Sequence, residues 1–225
     1  MKGICGRREI QSAAGHALFE QDGVLFYKES YEYELLSSLL YVFVQDRKLS
    51  VCDYGGALGS TYYRYERVLP KQGMDWSIIE QTSFVDYGQK NISDIEFYYS
   101  LEECMDDHDC NVVLLHSVLP YLEDPYGLLE NIFTKNTKYV ILDETVFQIS
   151  DDSEESIVLQ HVPERIYEAV YPSHIFNERK MIQAFEKAGY RKVFEWVYPG
   201  GAIQTRTKLG FKENIDRGFL FQKID

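Results

Sequence analysis

The sequence predicts an α/β fold, a doubly wound sheet of about seven strands with helices on both faces and an antiparallel last strand. Short apolar, strand-like runs alternate with helical periodicity across residues 49–145, which predicts parallel strands joined by crossover helices. After residue 174 a helix is followed by two further strand-like runs, typical of an antiparallel pair at one edge of a sheet. A glycine-rich turn follows the first parallel strand and predicts a ligand site at the carboxyl ends of the strands.

Composition narrows the classes of partner. The 225 residues carry 36 acids against 23 bases, a formal charge of -13, and this excess disfavours a nucleic-acid substrate. No apolar run approaches the roughly 20 residues of a membrane span, and no signal-peptide core stands at the N-terminus. The cysteines, at positions 5, 52, 104 and 110, lack CxxC spacing, which favours free thiols in the cytoplasm over disulfides or a metal site.

The chain is expected to form a single domain over residues 1–225, with no linker, repeat or low-complexity tract. Its oligomeric state does not follow from the sequence. Four segments are expected within the domain. They are an N-terminal cover and helix (1–48), a ligand-binding core (49–145), an insertion on the substrate side (146–173), and a terminal helix with a β-pair (174–225).

The elements of the first half follow from apolar periodicity and from the residues that end each run. In chain order we expect either a small hairpin or a cover over the main domain at Ala17–Tyr27, a helix over Ser30–Gln45, a strand over Leu49–Asp53, a helix over Ser60–Leu69 ended by Pro70, a strand over Trp76–Glu80, a helix over Phe84–Lys90, a strand over Ile95–Tyr99 and a helical turn over Leu101–Met105.

In the second half the alternation of strands and helices continues and then breaks. We expect a buried strand over Asn111–His116, a helix over Leu119–Phe133 with Pro125 near its start, a strand over Tyr139–Leu142 ending in Asp143-Glu144, an insertion over Thr145–Ser173, a helix over Asn177–Ala188, and strands over Lys192–Tyr198 and Gly218–Gln222 joined by a long loop.

The turn after the first parallel strand excludes two common phosphate-binding motifs. A dinucleotide-binding GxGxxG starting at Gly55 would need glycine at two positions that hold Ala57 and Ser60. A Walker A loop would need a lysine directly after Gly59, and none is present. These mismatches weigh against an NAD-dependent oxidoreductase and against a P-loop enzyme.

What remains is an acid followed by spaced glycines: Asp53, then Gly55 and Gly59. A second acid, Glu80, ends the next strand, where a carboxylate can accept hydrogen bonds from a ribose diol. The acid that ends the first strand can meet an ammonium group.

This pattern resembles motif I of the class I S-adenosylmethionine-dependent methyltransferases, D-x-G-x-G-x-G, with Ala57 in place of the middle glycine. Residues 111–125 are similar to the family's fourth-strand segment, in which a polar residue follows the strand and an acid-proline pair opens the next helix. Residues 188–190 resemble the family's Gly-aromatic junction before the sixth strand. The resemblance implies a Rossmann-like fold with S-adenosylmethionine as cofactor.

The resemblance also implies where the cofactor and the chemistry lie. His116 ends the strand that faces the methyl donor, where it would contact methionine, act as general base, or only cap the strand. Asp143 ends the next strand and is the second candidate to steer or deprotonate the acceptor. The expected cofactor-binding residues are Asp53, Tyr54, Gly55, Gly56, Ala57, Gly59, Glu80, Gln81, Tyr99, His116 and Ser117, and no metal ligand is expected.

A narrower resemblance covers residues 53–63, 76–85 and 160–172, which are similar to bacterial methyltransferases associated with surface-polysaccharide gene clusters. That family implies O-methylation of a sugar or sugar-nucleotide acceptor, a small molecule. Its fifth strand ends in Asp-Arg-Thr, whereas here Glu144 replaces the arginine and argues against an anionic acceptor group at that point. The expected acceptor-binding residues are Gln160, Tyr167, Tyr171 and His174. The alternative is a methyltransferase fold that only binds, without catalysis.

Overall fold

The computed structural model describes residues 18–21, 24–149, 154–162, 169–207 and 210–224. The chain divides into two compact units between Val113 and Leu114. The division falls inside the predicted ligand-binding segment 49–145, whose extent stays a prediction. In the first unit the strands are β1 (Phe19–Gln21), β2 (Val24–Phe26), β3 (Leu49–Tyr54), β4 (Met74–Ile79) and β5 (Glu96–Tyr98), and the helices are α1 (Tyr33–Asp46), α2 (Ser60–Tyr65), α3 (Thr82–Asn91) and α4 (Leu101–Asp107).

The first unit is built as its apolar pattern predicts. β1 and β2 pair as the expected hairpin. α1 buries Leu35, Leu39 and Val42 completely, one stripe at helical spacing. β3 pairs in parallel with β4, and β4 in parallel with β5, so the carboxyl ends of these strands share one edge. α2 is shorter than predicted: it ends at Tyr65, and a turn through Leu69 replaces its last helical residues.

The second unit starts within the strand β6 (Val112–His116), whose last three residues belong to it. Its further strands are β7 (Tyr139–Gln148), β8 (Ser156–Val162), β9 (Ala169–Ile175), β10 (Tyr190–Thr207) and β11 (Gly210–Lys223), and its helices are a 3-10 helix (Leu119–Tyr121), α5 (Pro125–Thr134) and α6 (Glu178–Lys187).

The predicted helix over Leu119–Phe133 is wrong as one element, because Asp124 starts a new helix. The Asp124 carboxylate accepts a hydrogen bond from the Gly127 N–H at 2.9 Å, the pairing of an N-cap. Pro125 takes the first helical position, where its missing N–H costs nothing. A 3-10 helix and a separate α5 therefore replace the continuous helix.

One strand is longer than predicted, and one predicted loop is wrong. β7 runs on through Gln148, and the insertion holds a β-hairpin in which β8 pairs with β9. The long loop predicted after Tyr198 is ordered ribbon: β10 and β11 stay paired from Ala202 opposite Ile215 to Thr207 opposite Gly210. Cross-strand pairing decides these segments, and local residue preference does not reveal it.

Seven strands form one sheet in the order β10-β11-β7-β6-β3-β4-β5. β11, the last strand of the chain, is antiparallel to β7, as predicted. The predicted fold class is thereby confirmed. Among the described residues, no helix is long and apolar enough to span a membrane.

Candidate functional site

The glycine turn, residues 53–60, adopts a left-handed backbone at three positions. Gly55 has φ of 78°, Ala57 of 50° and Gly59 of 94°. The Gly55 N–H donates to the Ile79 carbonyl at 2.8 Å, which ties the turn to the end of β4. The Gly59 N–H donates to the Gly56 carbonyl at 3.0 Å, so the turn closes on itself before α2 begins. The backbone N–H groups of such a turn are suited to approach a ligand closely.

Asp53 lies beneath this turn and is 1% exposed. Its carboxylate accepts a hydrogen bond from the Trp76 indole N–H at 3.2 Å. A Cβ at Gly56 would lie 2.6 Å from the same carboxylate, closer than any real contact. The residue at position 56 must therefore be glycine as long as Asp53 supports the turn. The spacing of Asp53 and Gly56 is a packing requirement as well as a sequence motif.

The alanine that replaces the middle glycine of the methyltransferase motif, Ala57, has a strained backbone conformation. An alanine at φ of 50° has its Cβ close to the following carbonyl, a strain of about 1 kcal/mol that glycine avoids. We expect Ala57→Gly to raise the free energy of unfolding by about 0.5–1 kcal/mol, measured by urea unfolding. Lower stability in the variant would contradict the assignment of strain to Ala57.

Glu80 follows β4 at the same edge as the turn. Its N–H donates to the Tyr98 carbonyl at 3.2 Å, and its carboxylate accepts the Gln81 N–H at 2.7 Å. Gln81 itself is exposed and precedes α3. Burial, together with the charges of Glu102 and Glu80, raises the pKa of the half-buried Tyr54 hydroxyl. Glu80 and Tyr54 therefore interact electrostatically at the edge where the turn lies.

Tyr99 follows β5 and presents a ring that is 47% exposed. Its hydroxyl donates to the Asp86 carboxylate at 2.7 Å, and its backbone N–H donates to Glu103 at 3.1 Å. The hydrogen bond to Asp86 raises the pKa of Tyr99. The hydroxyl is thus anchored while nearly half of the residue's surface stays exposed, which suits stacking on a flat heterocycle.

In the second unit, Asp143 is completely buried in the middle of β7. The Oδ2 atom accepts a hydrogen bond from the His116 Nδ1 at 2.9 Å. The Oδ1 atom accepts two, from the Trp196 indole N–H at 2.9 Å and from the Tyr198 hydroxyl at 2.7 Å. We call these four residues the Asp143 cluster. The two predicted catalytic residues, His116 and Asp143, are thus brought into direct contact.

The backbone around the cluster is unusual. Ser117 has φ of 53° and Glu144 has φ of 46°, both left-handed and neither glycine. The Ser117 N–H donates to the Asp143 carbonyl at 3.0 Å, which fixes the two strand ends against each other. Left-handed non-glycine residues concentrate at functional sites. The predicted cofactor residue Ser117 therefore lies beside the cluster.

Sequence reasoning missed Trp196 and Tyr198, which come from β10. Trp196 pairs across the ribbon with Gly218 on β11, and a Cβ at Gly218 would overlap the indole ring. Gly218 thus provides the space through which the indole reaches Asp143. The signal in the sequence is the Trp-x-Tyr alternation, which puts both side chains on one face of a strand. The sequence alone does not give the register of β10 and β11, so it does not show which residues this face of the strand contacts.

Asp216 is a second acid that sequence reasoning missed. It pairs with Val146 across β11 and β7, and its Oδ1 atom is buried without a hydrogen-bond partner among the described residues. Burial raises the pKa of Asp216 to about 7, and the negative charges of Glu144 and Asp143 add to the rise, while His116 opposes it. Asp216 therefore gains or loses its proton near neutral pH.

This pKa makes stability depend on pH in a definite direction. The folded state holds the Asp216 proton far more tightly than the unfolded chain, so stability falls as pH rises from about 4 to about 7. We expect Asp216→Asn to be more stable than the wild type, with an advantage that grows by about 2 kcal/mol between pH 5 and pH 8. Urea unfolding at both values tests it. Glu213→Gln, an exposed neutralisation on β11, is the control. An equal change at both pH values would contradict the assignment.

The predicted acceptor-binding residues are only partly brought together. Gln160 and Tyr171 face each other across β8 and β9, so they share one face of the hairpin. Tyr121, from the 3-10 helix, donates from its hydroxyl to the Gln160 amide oxygen at 3.2 Å, and its ring meets Tyr171 edge-on at 5.3 Å. We call these three residues the Tyr121 cluster. Tyr121 was not predicted.

His174 does not join the Tyr121 cluster. It pairs with Ile157, and strand alternation turns it to the opposite face from Tyr171. Its ring stacks on Phe176 with centroids 5.6 Å apart. Tyr167 lies outside the described residues, so its predicted role stays a prediction.

Comparison with protein-family models gives no match, and neither does comparison with curated protein sequences. Solved structures do match the fold. The N-terminal domain of EvdMO1 with SAH bound is 15% identical over 98% of both chains, with a TM-score of 0.59. The same domain in the presence of SAH and D-fucose is 14% identical over 98% of both chains, with a TM-score of 0.60.

A SAM-dependent methyltransferase from Methanosarcina mazei also matches, with 14% identity over 88% of this chain and 99% of that chain and a TM-score of 0.56. At these identities the likeness establishes the fold and not the activity. The chain therefore has the Rossmann-like fold found in S-adenosylmethionine-dependent methyltransferases.

Proposed function

We propose that the chain is an S-adenosylmethionine-dependent methyltransferase that methylates a hydroxyl of a sugar or sugar-nucleotide acceptor in surface-polysaccharide biosynthesis. The hydrogen bond between His116, at the end of β6, and the buried Asp143 of β7 carries this proposal. It supplies a base in a fold that is also found in the N-terminal domain of EvdMO1 with SAH bound. The buried free thiols Cys52, Cys104 and Cys110 agree with the reducing cytoplasm as its location.

The residues of the first unit fit the cofactor. The turn holds Gly56 so close to the Asp53 carboxylate that a Cβ would lie 2.6 Å from it, and we assign the Glu80 carboxylate to a ribose diol. The exposed ring of Tyr99 is available to an adenine, and Gln81 lies beside Glu80. Asp53 is too buried to be a free partner for an ammonium group, so we assign it the support of the turn. When bound, S-adenosylmethionine supplies an electrophilic methyl group on a sulfonium.

An alcohol must lose its proton as its oxygen takes the methyl group. We assign this proton to the Nε2 atom of His116, because the Nδ1 atom is committed as the donor to Asp143. Asp143 is completely buried and its oxygens already accept hydrogen bonds from His116, Trp196 and Tyr198. Its role is therefore to hold the imidazole and to stabilise the imidazolium that forms, not to meet the acceptor.

The Tyr121 cluster is our choice for the acceptor-binding residues. It combines two aromatic rings with an amide, the mixture that suits the apolar face and the hydroxyl groups of a pyranose. The presence of D-fucose with one fold neighbour supports a sugar acceptor by analogy. Glu144, near Asp143, favours an acceptor without a negative charge at that point.

The experiment is a transfer assay with methyl-labelled S-adenosylmethionine and a panel of nucleotide-linked and free deoxysugars, D-fucose among them. We expect label in a sugar product, with a KM that rises in Gln160→Ala and stays unchanged in His174→Gln. Binding of the cofactor without label in any sugar would contradict the proposed reaction and would favour a methyltransferase fold that only binds.

A further inference from the structure

We propose that Trp196 and Tyr198 are positioning residues of the methyl-transfer reaction, which act through Asp143 on the protonation of His116. This inference rests on the proposed function for its catalytic meaning. Its geometry does not depend on the cofactor or on the acceptor. The function of β10 in the fold would then be more than closing one edge of the sheet.

The two carboxylate oxygens of Asp143 have different hydrogen-bond partners. Trp196 and Tyr198 both donate to Oδ1, at 2.9 and 2.7 Å, and leave Oδ2 to the imidazole. A carboxylate held at one oxygen by two donors cannot rotate about its Cβ–Cγ bond without breaking both. The His116 Nδ1 therefore meets an acceptor in a fixed position, at 2.9 Å, which favours the tautomer with the proton on Nδ1.

The chain builds this arrangement at a cost that core packing alone does not require. Gly218 opposite Trp196 removes a side chain from the middle of β11, and glycine weakens a strand interior. The vacated space is filled by an indole whose polar atom points at Asp143. Tyr198, two residues further along the same strand, is only half-buried and still directs its hydroxyl to the same oxygen.

Removing one of the two donors to Asp143 should change the pKa of His116. Without the Tyr198 hydroxyl, the negative charge of Asp143 is less dispersed and attracts the imidazolium of His116 more strongly. The midpoint of the His116 titration should therefore rise. Within the second unit, Asp216 interacts electrostatically with His116, Asp143 and Glu144, and Tyr198→Phe leaves these acids in place.

The test is an NMR titration of the histidine imidazole nitrogens in the full chain, with the His116 signals assigned by their loss in His116→Gln. In the wild type we expect neutral His116 to carry its proton on Nδ1, the minor tautomer of free histidine. In Tyr198→Phe the midpoint should rise by about 0.5–1 pH unit. Tyr190→Phe is the matched control, since it removes a buried tyrosine hydroxyl from the same strand that donates to the Thr137 carbonyl.

An unchanged or lowered midpoint in Tyr198→Phe, or a shift of equal size in Tyr190→Phe, would overturn the inference. If Tyr198→Phe does not fold, the tautomer of neutral His116 in the wild type tests the inference instead. A proton on Nε2 would overturn the inference. These outcomes are independent of cofactor binding, because failure of the proposed function would instead appear as absence of S-adenosylmethionine binding or of transfer.

Discussion

His116→Gln is expected to lower the rate of methyl transfer by about 10²- to 10⁴-fold, the range for loss of a general base, with S-adenosylmethionine affinity unchanged. Glutamine keeps a polar side chain near Asp143 but cannot accept the acceptor proton at neutral pH. Single-turnover transfer to the sugar that supports turnover gives the rate, and calorimetry gives the affinity. The effect should fall on kcat.

His174→Gln is the matched control for this prediction. His174 stacks on Phe176 and lies on the opposite face of β9 from Tyr171, so its loss should leave the rate of transfer within about threefold. A His116→Gln enzyme that keeps wild-type kcat would remove the base from the mechanism. The sugar hydroxyl would then lose its proton to another group, and Asp143 would hold a histidine of purely structural function.

Gly56→Ala is expected to abolish cofactor binding and to lower the free energy of unfolding by about 1–3 kcal/mol, as overpacking does. The added Cβ would lie 2.6 Å from the Asp53 carboxylate, so either the turn or Asp53 must move. Asp53 is also the acceptor of the Trp76 indole hydrogen bond and has little room to shift. Calorimetric titration with S-adenosylmethionine and urea unfolding measure the two effects.

Gly127→Ala separates loss of stability from loss of the site. There too a Cβ would overlap a carboxylate, that of the helix cap Asp124, but on α5 in the other unit. We expect a similar loss of stability with unchanged cofactor affinity. If Gly56→Ala bound S-adenosylmethionine as well as Gly127→Ala does, the glycine turn would not be the cofactor site.

The glycine turn could be predicted from sequence because its determinants are local. Strand β3, the acid Asp53 and the spaced glycines lie within a few residues, and the backbone they require is a short-range property. His116 and Asp143 could also be predicted as candidates, since each directly follows an apolar run in the sequence and parallel strands end at one edge of a sheet. The sequence could predict that the two side chains lie near each other, but not that they form a direct hydrogen bond.

The Asp143 cluster as a whole could not be predicted, because half of it comes from β10. The residues after Tyr198 include Pro199 and two glycines, which locally favour a loop, and pairing with β11 overrides that preference. The functions of Trp196, Gly218 and Asp216 depend on the register of this ribbon, in which a slip by one residue would reverse every side chain. Tyr121 was missed because one continuous helix was predicted across Asp124, where the structure has a break between the 3-10 helix and α5.

We propose that the first unit binds S-adenosylmethionine with Glu80 on the ribose. Calorimetric titration of the wild type, Glu80→Ala and the charge-matched control Asp94→Ala measures this binding. We expect saturable binding by the wild type and by Asp94→Ala, and affinity about 100-fold lower in Glu80→Ala, because two hydrogen bonds to a charged group are lost. No heat of binding with the wild type would contradict the claim that the cofactor binds, and equal affinity in Glu80→Ala would contradict the assignment of the ribose to Glu80.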